Sequence, residues 1–320
     1  MADTIGKYEK EKLKEGENVR EVKKSLQKVF TVTALHYRRW TQTPKAAIVF
    51  LLAFILSYLL TEQILDIVQI QNLSVQLAEP FIWTFGDAKS ILLASLPLVI
   101  LFSDLPLASN EVPFYLVRCS RGKWLAGELL YVASASFLYL LWIFGSTMVL
   151  CARHAYVENR WSNAAVLFAY MNGDSAIPAS MKAMQQTTPY NCLIIVSLLM
   201  LGYLMLAVSI QFAVTLRHTQ AAGVAAFLIF TAYGFILQPS TIVKLFDLQK
   251  EQLYRANVLV GWISPLNQAT YSMHNFGYDL LPTLLQSGGI FLIGIVICCV
   301  QSSHAMDRYT FSFSGTENEI

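Results

Sequence analysis

The chain has 320 residues, of which 55% are apolar and only 14% charged, and its mean hydropathy is +0.48. A charged share so far below the ~25% usual in soluble domains argues against a water-soluble globule and for a chain that lives in a bilayer. The net charge of +2 says nothing about partners, and no feature points to nucleic acid.

Residues 1–22 are densely charged, with Lys7, Glu9, Lys10, Glu11, Lys12, Lys14, Glu15 and Glu17 in mixed sign. They read as a cytoplasmic tail, either a solvated helix or a disordered segment. The pattern changes over 23–43. Leu26, Val29, Phe30, Thr33, Tyr37 and Trp40 recur at helical spacing, while Lys24, Lys28, Arg38 and Arg39 fall on the far side. Only Leu35 breaks the division. Such a basic amphipathic helix is expected in the cytoplasmic membrane interface, with Lys28, Phe30, Tyr37, Arg38, Arg39 and Trp40 as its contact residues. A soluble helix packed on a partner protein is the plainer alternative. Pro44 should end it.

From residue 44 to 305 six apolar stretches follow, near Ala46–Leu65, Ala88–Ser103, Trp124–Cys151, Asn191–Leu216, Gln220–Leu237 and Leu280–Gln301. Most have the roughly 20 residues needed to cross ~30 Å of hydrocarbon, and helices are the form that satisfies its own backbone in lipid. The second stretch carries Pro97, which should kink it and leave a carbonyl for a neighbouring helix to cover. The first 45 residues lack the short apolar core of a cleavable signal, so the first stretch is expected to stay as an anchor. Eleven of the 23 basic residues precede it, and alternate connecting segments hold 16 against 7. The positive-inside rule then puts both termini, including the 306–320 tail, in the cytoplasm.

The connections 152–190 and 238–279 are long and rich in aromatic residues. Short helices dipping into the outer interface would account for Trp262–Pro265 and Tyr271–Tyr278. Cys151 and Cys192 stand at the outer ends of their stretches, where an oxidising compartment would let them pair. Two small apolar residues in lipid is the plainer reading. Cys298 and Cys299 read as helix packing or an acylation site near the inner surface.

Catalytic motifs are scarce. No zinc-binding His-Glu-x-x-His, no Gly-x-Ser-x-Gly and no phosphate-binding Gly-Lys loop occurs. The five histidines are scattered and read as surface residues, and no metal ligand set is expected. Ser287-Gly288-Gly289 reads as chance or as small residues that admit a close helix. Glu128 is the clearest charge inside an apolar stretch, and such a charge is a functional candidate by default.

The most distinctive local run is Asn110-Glu111-Val112-Pro113-Phe114-Tyr115-Leu116-Val117-Arg118-Cys119-Ser120-Arg121-Gly122-Lys123-Trp124 and on to Glu128. It places charges of both signs beside an apolar run in a cytoplasmic loop. Snorkelling at the end of the third stretch would explain Arg118, Arg121 and Lys123, but not the apolar Val112–Val117. The run resembles the cytoplasmic loop of the permease subunits of type-2 ABC exporters, which forms a short coupling helix against an ATP-binding subunit. The preceding basic helix and the six stretches are also similar to that family.

The resemblance implies an all-α polytopic membrane protein of six transmembrane helices, with an N-terminal amphipathic interfacial helix and a cytoplasmic coupling helix. It assigns Glu111, Arg118, Arg121, Lys123 and Glu128 to coupling, although many members carry lysine where Glu128 stands. It further implies an ATP-binding cassette subunit as partner, holding ATP and Mg, and a second permease subunit, like or unlike. The chain itself would hold no cofactor and catalyse nothing. A bacterial plasma membrane is the expected location, and an amphiphilic or peptide-like molecule the expected cargo. A non-transporting scaffold or immunity protein is the competing expectation, ahead of an intramembrane enzyme.

Overall fold

A computed structural model of the chain describes residues 2–106, 120–171, 177–237, 239–245 and 253–308. Helix α1 (Ala2–Trp40) is continuous across both the charged segment and the amphipathic one. Pro44 then occupies the N-cap of α2 (Lys45–Ile70), where its fixed φ suits a helix start. Asn72 ends α2 in the left-handed region at φ 49°. The amide of Leu73 bonds Val68 O at 2.9 Å and that of Asn72 bonds Gln69 O at 3.3 Å, the double closure of a Schellman motif. Strand β1 (Val75–Gln76) and the short helix α3 (Glu79–Thr84) lead to α4 (Ala88–Phe102), capped by Asp87 accepting from the Ser90 amide.

Helix α5 (Arg121–Cys151) is followed by β2 (Ala155–Tyr156), which pairs in parallel with β1, Val75 opposite Ala155. The segments after it hold α6 (Asn163–Tyr170) and α7 (Met181–Gln186). Then come α8 (Pro189–Arg217), α9 (Gln220–Ile236), α10 (Pro239–Leu245), α11 (Leu253–Ile263), α12 (Pro265–Ala269) and α13 (Leu284–Arg308).

Four helices, α2, α5, α8 and α13, are long and apolar enough to cross a membrane. The expected second and fifth spans form the shorter helices α4 and α9, of 15 and 17 residues. At 1.5 Å per residue these reach about 22 and 26 Å, short of a ~30 Å core. Their ends are set locally. Asp87 and Thr219 cap the starts, and α9 stops at Leu237, just ahead of Gln238-Pro239. α8 lies at the centre, with α5, α9 and α13 packed on it, while α2 packs on both α4 and α5. Thr215 is close enough to Gly223 that a Cβ there would meet its Oγ1 at 1.9 Å, so α9 can pack so near α8 only because that position is glycine.

Pro97 sits inside α4 as expected, and the Tyr139 hydroxyl of α5 donates at 2.7 Å to Ala94 O, one residue past the carbonyl that the proline frees. Cys151 and Cys192 are buried free thiols, so the pairing left open by their positions is not made. Gly288 and Gly289 have open space where a Cβ would stand, so they serve no close contact within the described residues.

Candidate functional site

Where α1 meets the first turns of α5, buried polar groups are concentrated. The approach begins at Gly127, where a Cβ would collide with Val32 Cβ at 2.6 Å and Val29 O at 3.0 Å. Glycine therefore lets the two backbones close up, and the Thr33 hydroxyl reaches Gly127 O at 3.0 Å. One turn further along α1, His36 Nε2 lies 2.9 Å from Glu128 Oε2, with the two side chains 5% and 1% exposed. The angle is poor for a hydrogen bond, and neither Glu128 oxygen has a hydrogen-bond partner among the described residues. The imidazole stacks on Tyr131 with ring centres 4.2 Å apart. Trp40 Nε1 donates to the Tyr131 hydroxyl at 2.9 Å, and the Tyr37 hydroxyl donates to Ser134 Oγ at 2.7 Å. The contacts climb α1 and α5 in the same direction, so the helices run side by side.

Beside this seam is a cavity of about 30 Å³ lined by His36, Arg39, Trp40, Lys45, Asp104 and Tyr131, room for about one water. Lys45 closes its rim through an ion pair of 2.6 Å with Asp104. At the start of α5, Arg121 Nη1 donates to Met306 O at 2.8 Å and so ties the end of α13 to the same place. Trp124, next on α5, is buried against Phe212 of α8.

The residues assigned to coupling divide. Glu111 and Arg118 lie outside the described residues. Arg121, Lys123 and Glu128 lie along the first turns of α5, with Arg121 exposed, Lys123 half-buried and Glu128 buried. Of the residues assigned to the interfacial helix, Tyr37 and Trp40 face α5, Arg39 lines the cavity, and Lys28, Phe30 and Arg38 are exposed. Phe30 is 60% and Leu26 52% exposed, so two of the six stripe residues do not pack on the described residues.

The expectation that histidines sit at the surface is corrected at two positions. His36 is buried as the partner of Glu128, and its position three after Thr33 and four before Trp40 was the available signal. A buried carboxylate demands a partner, and His36 shares the stripe that faces it.

His274 is the second. It is fully buried, with Nδ1 at 3.0 Å from Thr270 O and 3.2 Å from Tyr271 O. Its Nε2 therefore accepts from the Ser287 hydroxyl at 3.1 Å. Burial lowers its pKa and keeps the ring neutral. Ser287 is also fully buried, so the pair acts as a tie between the first turn of α13 and the preceding segment.

The opposite end of the bundle carries a second buried carboxylate, which the sequence reading passed over. Glu79 of α3 is fully buried. Its Oε1 accepts from the Ser162 amide at 2.6 Å, and its Oε2 accepts from the Ser162 hydroxyl at 2.5 Å and the Gln76 amide at 3.3 Å. It staples the α2–α4 connection to the one after α5, next to the β1–β2 pair and the stacked Trp83 and Trp161. Desolvation outweighs these bonds and raises its pKa to about 7. Lys182 pairs with Asp279 and lies over Phe276, which brings the last connection into the same cap.

No family model, characterised protein or solved structure matches the chain. Its function is read from its own residues.

Proposed function

We propose that the chain is the membrane-spanning permease subunit of an ATP-driven exporter of the type-2 ABC kind, moving an amphiphilic or peptide-like molecule. ATP would be bound, with Mg, by a separate subunit on the cytoplasmic side, and a second permease, like or unlike this one, would complete the path. The observation that carries this reading is the seam at the head of α5. Residues 107–119 lead directly into α5. Its first turns are joined to α1 by Gly127, Glu128 and Tyr131, and to the end of α13 by Arg121. A push on that loop would therefore move α5, α1 and α13 together, as a receiver of work from another subunit must. In this reading α4 and α9 complete a six-segment domain, α4 packing on α2 and α9 on α8 and α4, and the exposed Phe30 and Leu26 rest on lipid or on the partner.

Charge reversal tests it. Arg118→Glu with Arg121→Glu is expected to abolish association with the ATP-binding subunit and its stimulation, since charge-assisted bonds across an interface become repulsions. Arg121→Gln alone, which loses the tie to Met306 without reversing the charge, should keep association. Normal assembly and coupled ATP hydrolysis in the double variant would reject the coupling role.

A further inference from the structure

At the end of the bundle away from the α1 seam, a cleft of about 380 Å³ opens between the last turn of α2 and the residues after α5. That volume is within the range of small-ligand sites. Val68 and Leu73 line its apolar side, and Gln69, Asn72, Arg153 and His154 line its polar side. Among the described residues, none of these four polar side chains has a hydrogen-bond or ion-pair partner. Two amides, an imidazole and a guanidinium thus line one cleft, with Gln69, Asn72 and Arg153 exposed and His154 half-buried.

Helix C-termini ordinarily repel anions through their free carbonyls. Here several of them are occupied. The Schellman closure takes those of Val68 and Gln69, while the Ala152 amide takes Val149 O at 3.4 Å and the His154 amide takes Cys151 O at 2.9 Å. The polar side chains that line the cleft offer donors and one fixed positive charge. The nearest acid on α2 is Asp66, one turn earlier.

Depth and surroundings identify the ligand. Twenty residues from Lys45 bring α2 to the far edge of the hydrocarbon, so Gln69 and Asn72 fall in the headgroup layer. Ile70 and Val149, in the last turns of α2 and α5, are 77% and 74% exposed. A free anion has no use for them, whereas acyl chains do.

We propose that this cleft binds the phosphate of a membrane phospholipid, with Arg153 and the Gln69 and Asn72 amides on the phosphate oxygens and Ile70 and Val149 against the chains. The proposal rests on the chain being membrane-embedded and not on the exporter reading. A lipid held there would fasten α2 to α5 at the end opposite the His36–Glu128 seam.

The test uses the full chain in vesicles containing phosphatidylglycerol with a photoreactive group near its headgroup. Flotation first verifies that wild type and variants are both inserted. Labelling is expected on peptides covering 66–73 and 149–155. It should fall about tenfold in Arg153→Gln/Asn72→Gly, as loss of charge-assisted hydrogen bonds implies. Glycine preserves the left-handed turn at position 72, and Arg153→Lys should retain most of the label. Equal labelling of wild type and the double variant overturns the site. Complete loss of label on adding inorganic phosphate assigns the cleft to a free anion and overturns its assignment to lipid.

Discussion

His36→Ala is expected to unseat the second half of α1 from α5 and to lower stability by about 3–5 kcal/mol, the usual cost of stripping one partner from a buried acid–base pair. Glu128 is 1% exposed and has no other partner among the described residues, so removing the imidazole leaves a buried carboxyl group with no protein donor among them. The stack on Tyr131 goes with it. Glu128→Ala should cost less, about 1–3 kcal/mol, because a neutral imidazole tolerates burial better than a lone carboxylate. The double replacement His36→Leu/Glu128→Leu should recover most of the loss, since apolar residues of similar volume commonly substitute for a buried pair. The loss of folded protein on heating in detergent, with amide exchange over 20–40, reads all three. Wild-type behaviour of His36→Ala, or a double variant worse than the two singles combined, contradicts the pair's role.

The second large effect lies at Glu79 and depends on pH. Its pKa is raised from 4.5 to about 7 by burial. Between those values the folded state keeps a proton that the unfolded chain has released, so stability declines as pH rises through that window. The full span corresponds to about 3 kcal/mol, an upper figure reached above pH 7. Wild type should therefore resist heat better at pH 5 than at pH 8. Glu79→Gln has no proton to lose and should give a profile flat by comparison. Glu79→Ala should lose at every pH, because the buried Ser162 amide is left without its acceptor, at about 1–3 kcal/mol. Wild-type stability that climbs from pH 5 to pH 8, or Glu79→Gln following the wild-type curve, would contradict the assignment.

Much of the helical frame was legible because its signals are local. Pro44, Asp87 and Thr219 stand at helix starts, and the apolar stretches match α5 and α8 closely, while α2 and α13 run on past them to Ile70 and Arg308. The amphipathic stripe placed Tyr37 and Trp40 on one face, and that face is the one on α5.

Pairings between distant residues were not legible. Glu128 stood out as a charge in an apolar stretch, but its partner lies 92 positions earlier, and the resemblance drew attention to the loop instead. Glu79 follows an ordinary polar connection and gave no warning that Ser162, 83 residues on, would enclose it. The two-residue β1–β2 pairing is too short for a period-two pattern. Stretch length already set α4 and α9 apart, since Ala88–Ser103 and Gln220–Leu237 are the two shortest of the six apolar stretches and end within one residue of the helices.

The proposed role requires that this chain receive work from a separate ATP-binding subunit. Affinity purification of the full chain from its native membrane in a mild detergent tests it most directly. A stoichiometric ATP-binding protein, with ATP hydrolysis in the eluate that Arg118→Glu/Arg121→Glu removes, is the predicted result. A chain that elutes without any nucleotide-binding partner and without ATP hydrolysis, while still folded, would contradict it.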